Sequence, residues 1–493
     1  MPTTSKTLGA PAAALDIPLD IALAPEAGDS QPSRVHAALR AAILGGRLPA
    51  GLRLPSSRAL ATQLGVRRNA VVTAYEHLLS DGLAEARTGS GTFVAAELPR
   101  GPALPAPAPT LPPPTGSKPF ALGRTHADAL LLRQFSRLLR HHLTEPDPAH
   151  FGYGDPRGSE ALRAAIARHL AATRGIVCDP GCIIVTSGMQ QALRLCTEVL
   201  LQPGDQAWME DPGYPAARRI LQSRGTTLIP VPVDAAGLDA AAGRALAPAA
   251  RLAYVTPSHQ FPTGVTMSMA RRIALLDWAH EAGAWVVEDD YDSEFRFAGP
   301  PLTALAGIDG PGLDGQGRVI YIGTFSKTLF PGLRIGYVVL PPALVTPFAA
   351  ARAVMDRFPP SLLEGALAEL MTSGAFAAHL RRMRSRYRTA RDLVAEAVTR
   401  AAKGCLTVTV PDQGLHLVAT LPADLPPTAA SDIRAAAGTE GWLLSETRLI
   451  PGGADGFVLG YSGHSPAALK QAAARLGAAA EAYCRRHAAA LVK

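Results

Sequence analysis

No run of eighteen or more apolar residues occurs in the chain, which excludes a membrane-spanning helix. Cysteine is scarce: five thiols, an odd number, lie at 178, 182, 196, 405 and 484. Their scatter offers no disulfide framework and no metal-ligand spacing, so no metal is expected. It suits a reducing compartment, and a cytoplasmic protein is expected. The opening stretch MPTTSKTLGAPAAALDIPLDIALAPEAGD has one early lysine and is broken by Pro and Asp, a poor secretory leader. No internal repeat is evident, which argues against a solenoid. What is present is ordinary for a globular protein, 47% hydrophobic and 18% charged. A length of 493 residues suits roughly two to four domains.

The net charge of +7 is unevenly placed. Between Arg34 and Ala95 eight arginines face three acids. A basic unit of this size fits phosphate contact as well as a solvated face. Apolar residues at helical spacing (Val35, Leu39, Ile43) predict a first helix over 32–43. Ser56 or Ser57 can cap a second, over 58–64. Gly65 then turns the chain into a third, over 66–80, with Val71, Val72, Tyr75 and Leu78 inward. Two helices joined by a tight turn make a helix-turn-helix. The third opens Arg67-Arg68-Asn69, and the N-terminal end of such a helix is the one that meets base edges. The segment GLAEARTGSGTFVA reads as a hairpin wing.

Residues 1–30 read as a flexible tail, 31–96 as the DNA-binding unit and 97–119 as a linker. Nine prolines fall within 98–119, and a chain so short of amide donors stays extended. From 120 to 493 short apolar strands alternate with amphipathic helices, which predicts an α/β domain on a mostly parallel sheet.

One such strand, AWVVE, delivers Asp289; another, VIYIG, is followed by Lys327. A buried acid and amine over one ligand is what pyridoxal phosphate needs. Its aldehyde condenses with a lysine, and its ring nitrogen keeps its proton only against a carboxylate. Tyr291 can serve the phenolic oxygen. Ser187, Gly188, Met189 and Gln190 open a helix that can seat the phosphate, with Arg334 as its cation and Thr324 and Ser326 as hydroxyls. Tyr214 can stack on the ring.

Two resemblances follow from these motifs. LRAAILGGRLPAGLRLPSSRALATQLGVRRNAVVTAYEHLLSDGLAEARTGSGTFV resembles the winged helix-turn-helix of the GntR family. This implies that Arg58, Arg67, Arg68 and Asn69 touch bases or phosphates of double-stranded DNA, supported by Arg53, Thr73 and Gly91. The ordered segments YGDPRGSEALRAAI, TSGMQQAL, EDPGYP, TPSHQFPTG, EDDYDSEFRF and GTFSKTLFPGLRIGY resemble the fold-type I aminotransferases, with a large sheet domain and a smaller C-terminal α+β part. In that family Lys327 would hold the aldimine, Asp289 the pyridine nitrogen, and Tyr153 the phosphate of a partner subunit. TPSHQFPTG replaces the family's usual Asn-Pro-x-Asn-Pro-Thr-Gly, and leaves His259 or Gln260 to reach the phenolic oxygen.

The combination resembles the MocR (GabR-like) regulators: cytoplasmic bacterial transcription factors, often head-to-tail homodimers. Their effector is the cofactor itself or an amine that forms an external aldimine. The alternative is a working aminotransferase with a fused DNA-binding domain. Val458 stands where such enzymes carry the arginine for the substrate carboxylate, and Ala216 where a GABA-responsive relative carries another. Arg218, Arg219 or Arg448 could substitute. Vestigial transaminase activity at most is expected.

Overall fold

A computed structural model describes residues 30–97, 118–145, 151–310 and 317–491. The expected tail and nearly all of the Pro-rich linker lie outside these residues. The chain divides into two compact units between residues 113 and 114.

In the first unit Pro32 heads the helix Gln31–Leu44, where a missing amide costs nothing. Val35, Leu39, Ala42 and Ile43 fall on its buried face. Ser56 caps Ser57–Leu64 by accepting the Ala59 amide at 3.2 Å. Gly65, left-handed at φ +64°, turns the chain. The third helix, Arg68–Ser80, starts two residues later than its apolar pattern suggests, because Arg67 is extended and takes the N-cap place. Its buried face is Ala70, Val71, Ala74, Tyr75 and Leu78, with Val72 only half-buried. The Tyr75 hydroxyl donates to the Pro55 carbonyl at 2.7 Å and ties this helix to the turn before the second. Ala84–Arg87 and Gly91–Val94 form the antiparallel wing.

The second unit is built on an eight-stranded sheet. Val319–Thr324, Trp285–Asp290, Leu252–Val255, Gln206–Asp211 and Thr227–Asp234 run parallel in that spatial order. Gly336–Val339 lies antiparallel between Val319–Thr324 and Ile183–Thr186, and Gly237–Leu238 closes the other edge. Ile183–Thr186, Leu252–Val255 and Val319–Thr324 are buried throughout, as strands covered on both faces must be. Each fully buried Leu, Ile or Val there contributes roughly 1.5–3 kcal/mol. Trp208 and Trp278 stack at 3.6 Å, and each indole donates to a backbone carbonyl at 3.0 Å. A second, antiparallel sheet holds Thr407–Thr409, His416–Thr420, Gly456–Gly460 and Trp442–Leu443. Among the described residues no helix is long and apolar enough to cross a membrane.

Candidate functional site

The parallel strands all end at one edge of the large sheet, where open α/β sheets take their ligands. A cavity of about 310 Å³ lies there. Trp285–Asp290 carries Asp289 one residue before its end, lining the cavity, and Val319–Thr324 leads through Thr324 and Ser326 to Lys327, which lines it too. Of the other expected residues Met189, Gln190, Tyr214, Tyr291 and Arg334 line it, and Ser187, Gly188, His259, Gln260 and Tyr153 do not.

Asp289 is 4% exposed. Its Oδ2 accepts the Tyr254 hydroxyl at 2.6 Å, while Oδ1 is buried with no partner. Burial pushes its pKa up to about 7, against the Tyr254 hydrogen bond. An orphaned carboxylate oxygen facing a cavity is the acceptor that a protonated ring nitrogen requires. Burial lowers the pKa of Lys327, against the pull of Asp292 and Asp289, and raises its share of free amine. Gly123 closes over that amine so nearly that a Cβ would lie 3.1 Å from Nζ.

One end of the site is built from a close approach. Gly188 has φ +92°, and a Cβ on Gly336 would lie 2.8 Å from the Gly188 Cα. Gly188 caps the helix Met189–Leu200, so the first amides of that helix point outward. Arg334, itself left-handed at φ +53°, donates from Nη2 to the Ser187 carbonyl at 2.6 Å. The Ser187 amide is engaged by Gln191 Oε1 at 2.7 Å. Gln191 in turn receives the wholly buried Arg352 and donates to Asp356 at 2.7 Å. Ser187 and Gly188 therefore shape the loop and do not line the cavity. Gln191 went unnoticed beside them because a repeated glutamine carries no signal of its own.

His259 and Gln260 do not line the cavity either. The residue of TPSHQFPTG that does, besides Thr256, is Phe261. Gln260 turns inward, donating to Glu210 Oε2 at 3.1 Å and to the Pro212 carbonyl at 2.9 Å. His259 sits behind Tyr291, whose hydroxyl donates to the His259 carbonyl at 3.0 Å. Of the two residues expected to reach a phenolic oxygen, neither lines the cavity, whereas Tyr291, which does, is bonded to His259. Tyr153 is 83% exposed, outside the cavity, with Arg357 4.1 Å over its ring.

An apolar cluster lies beside the cavity and shares Leu122, Tyr214, Phe261 and Trp442 with its lining. Val458 is fully buried among Phe261, Val418 and Leu444, with Leu122, Tyr214 and Trp442 packed against them. Tyr214 and Trp442 are parallel at 6.2 Å, and Phe261 stands edge-on to both. Arg218 is committed to the carbonyls of Thr447 and Arg448 at 2.9 Å each. Arg448 is committed to those of Gly452, Gly453 and Ala454. Arg219 is exposed and Ala216 buried, and neither lines the cavity. Leu122, Tyr254, Leu415, His416 and Trp442 escaped the sequence reading because only the tertiary fold brings them here.

In the N-terminal unit Arg58, Arg67, Arg68 and Asn69 are all exposed, and Thr73 is half-buried. Arg68 Nε reaches Ser57 Oγ at 3.4 Å, so it braces the two helices as well. Arg53 lies over Gly91, its Nε 3.4 Å from where a Cβ would be. A side chain there would crowd the guanidinium.

The fold and cavity define a winged helix-turn-helix joined to an aminotransferase-type domain. Comparison with known proteins agrees. Residues 31–94 match the bacterial regulatory proteins of the gntR family, and residues 138–453 match aminotransferase class I and II. The chain is 38% identical over 470 residues to a probable rhizopine catabolism regulatory protein, MocR, of Rhizobium meliloti, covering 89% of this chain and 91% of that one. It is 33% identical over 459 residues to the pyridoxine biosynthesis transcriptional regulator PdxR of Corynebacterium glutamicum, covering 92% and 96%. Among solved structures it is similar to the α-aminoadipate aminotransferase LysN of Thermus thermophilus, in complex with N-(5'-phosphopyridoxyl)-L-leucine. There the TM-score is 0.67 at 26% identity, covering 74% of this chain and 92% of that one. The chain belongs to the MocR group of GntR-family transcriptional regulators, with pyridoxal phosphate as the cofactor of its aminotransferase-type domain.

Proposed function

We propose that the C-terminal unit is a sensor, whose effector is pyridoxal phosphate itself or an amine that exchanges with Lys327 on it. The observation that carries this reading is the pairing of Lys327 with the unpartnered Asp289 Oδ1 in one cavity, on a chain that also carries a DNA reader. When bound, the cofactor supplies an aldehyde that passes between amines. Lys327 offers the resident amine, its deprotonation eased by burial. Asp289 Oδ1 would accept the hydrogen bond of the protonated ring nitrogen and keep the proton there. Arg334 and the amides of Met189 and Gln190 would hold the phosphate. Arg218 and Arg448 are engaged on backbone carbonyls, and among the described residues no arginine besides Arg334 lines the cavity, which leaves a substrate carboxylate without a guanidinium of its own and disfavours ordinary amino-acid transamination.

The exposed Tyr153 belongs, in this reading, to a homodimer contact beside the partner's phosphate site. An effector then acts only through unequal affinity for two arrangements of the DNA readers. The test is fluorescence anisotropy of the apo-protein on its own upstream DNA, with and without pyridoxal phosphate. A shift in affinity or stoichiometry supports a sensor of the cofactor. No shift with it, nor with a panel of primary amines, would sink the proposal. The alternative, a working aminotransferase, predicts multiple turnover with an amino acid and a keto acid, and a sensor gives almost none.

On the same DNA, Arg67→Ala is expected to weaken specific binding by roughly 1–3 kcal/mol if the guanidinium reads a base. Unchanged affinity together with an unchanged salt slope would remove Arg67 from the interface.

A further inference from the structure

His259 is 2% exposed and Asp292 1% exposed, directly behind the cavity wall. Both Asp292 oxygens lie near His259 Nδ1, at 3.0 and 3.1 Å, and Asp292 Oδ2 also accepts the Leu415 amide at 3.1 Å. A carboxylate used wholly as acceptor requires the proton of His259 to sit on Nδ1. The Tyr291 oxygen lies 3.1 Å from that same nitrogen, so towards it Tyr291 can only accept. Its own hydrogen then has two destinations: the His259 carbonyl at 3.0 Å, or the cavity that Tyr291 lines. Burial and the flanking carboxylates of Asp292 and Asp289 hold the Tyr291 pKa well above its usual value, so the hydrogen stays available.

The ring of His259 is fixed by its surroundings. Gly414, at φ +91°, has no room for a Cβ, which would overlap the imidazole. His416 packs against it with ring centres 4.6 Å apart and is itself engaged through Nε2 with the Pro262 carbonyl at 3.0 Å. His259, Asp292 and His416 place three potential metal ligands within 4.8 Å of one another. These hydrogen bonds already engage a nitrogen of each ring and both Asp292 oxygens, and no metal is needed to account for the cluster.

We propose that His259, oriented by Asp292, is the positioning residue of Tyr291. It fixes the tyrosine oxygen so that its hydrogen can be handed from the His259 carbonyl to the phenolic oxygen of the bound cofactor. The proposal rests on the cofactor site described above. It assigns the polar pair of TPSHQFPTG and EDDYDSEFRF a task that neither performs by touching the ligand.

A hydrogen bond to the phenolic oxygen stabilises its anionic form and lowers the proton affinity of the nitrogen linking Lys327 to the cofactor. The other titratable groups facing Tyr291 and His259 are Asp289, Glu210, Tyr461, Lys327 and His416. All stay in place in the test variants. The test is a pH titration of the visible absorbance of the full-length, cofactor-loaded protein. His259→Phe keeps a ring and removes the donor; its midpoint is expected to rise by about one pH unit. His259→Asn carries an amide donor close to Nδ1, and its midpoint is expected to match the parent. His259→Leu, which also lacks the donor and is expected to shift the midpoint upward, replaces His259→Phe should that variant not fold. A folded donor-less variant with the parent midpoint overturns the proposal. So does an equal shift in His259→Phe and His259→Asn, which would mean that the ring packs but does not position. A parent protein with no visible band would instead overturn the cofactor site beneath it.

Discussion

Lys327→Ala is expected to abolish the visible band of the protein–cofactor adduct and its trapping by borohydride, with the fold retained. The side chain stands at the end of a buried strand, on the short helix Phe325–Thr328, and Thr328 and Phe325 beside it remain buried without it. Its removal therefore opens space in a cavity and leaves the core intact. The proposed phosphate seat at Arg334 and the start of the Met189–Leu200 helix is also untouched. Pyridoxal phosphate should still bind, about 100-fold more weakly, because the covalent step is lost and the charge contacts remain. Absorbance spectra with borohydride reduction and peptide mapping would check this. A variant that keeps a reducible chromophore would mean that another amine does the work of Lys327. Operator binding by the variant, with and without pyridoxal phosphate, then separates occupancy of the cavity from covalent attachment as the signal.

How legible this was depended on how local each feature is. The helix-turn-helix depends on neighbours in sequence: a proline start, a serine cap, a glycine turn and an apolar stripe. All were readable, with the recognition helix misplaced by two residues only because the extended backbone of Arg67 looks helical in composition. Asp289 and Lys327 were readable because a carboxylate or amine directly after a buried strand has few other reasons to be there. Tyr254, Phe261 and Trp442 were not. Each sits in a stretch where an aromatic residue serves the core equally well, and only sheet order brings the three strands' ends and loops together. The place of His259 outside the cavity lining has the same origin. Its motif lies at the right place in the chain, but backbone direction turns Phe261 into the cavity and His259 towards Asp292.

Asp289→Asn separates the needs of the cofactor from those of the fold. In the apo-protein burial raises the Asp289 pKa to about 7 from an ordinary 3.8. The folded state thus binds a proton that the unfolded state has released between those values. Stability from this group is full below pH 3.8 and is lost as pH rises through about 7. Glu210 and Glu364, also raised to about 7 mainly by burial, add in the same direction. Asparagine keeps an acceptor for the Tyr254 hydroxyl and carries no charge. Apo Asp289→Asn is therefore expected to melt at or above the parent at pH 8, and to lose the parent's fall in Tm between pH 6 and pH 8 in part, since Glu210 and Glu364 persist. The same change removes the anion that holds the ring-nitrogen proton. Breaking a buried charge pair costs ~3 kcal/mol or more, so affinity for pyridoxal phosphate should fall about 100-fold. Thermal melts of the apo-protein at the two pH values and a cofactor titration by fluorescence quenching test both halves. A variant that melts lower at pH 8 yet binds the cofactor as the parent does would show that Asp289 serves the fold and that another group meets the ring.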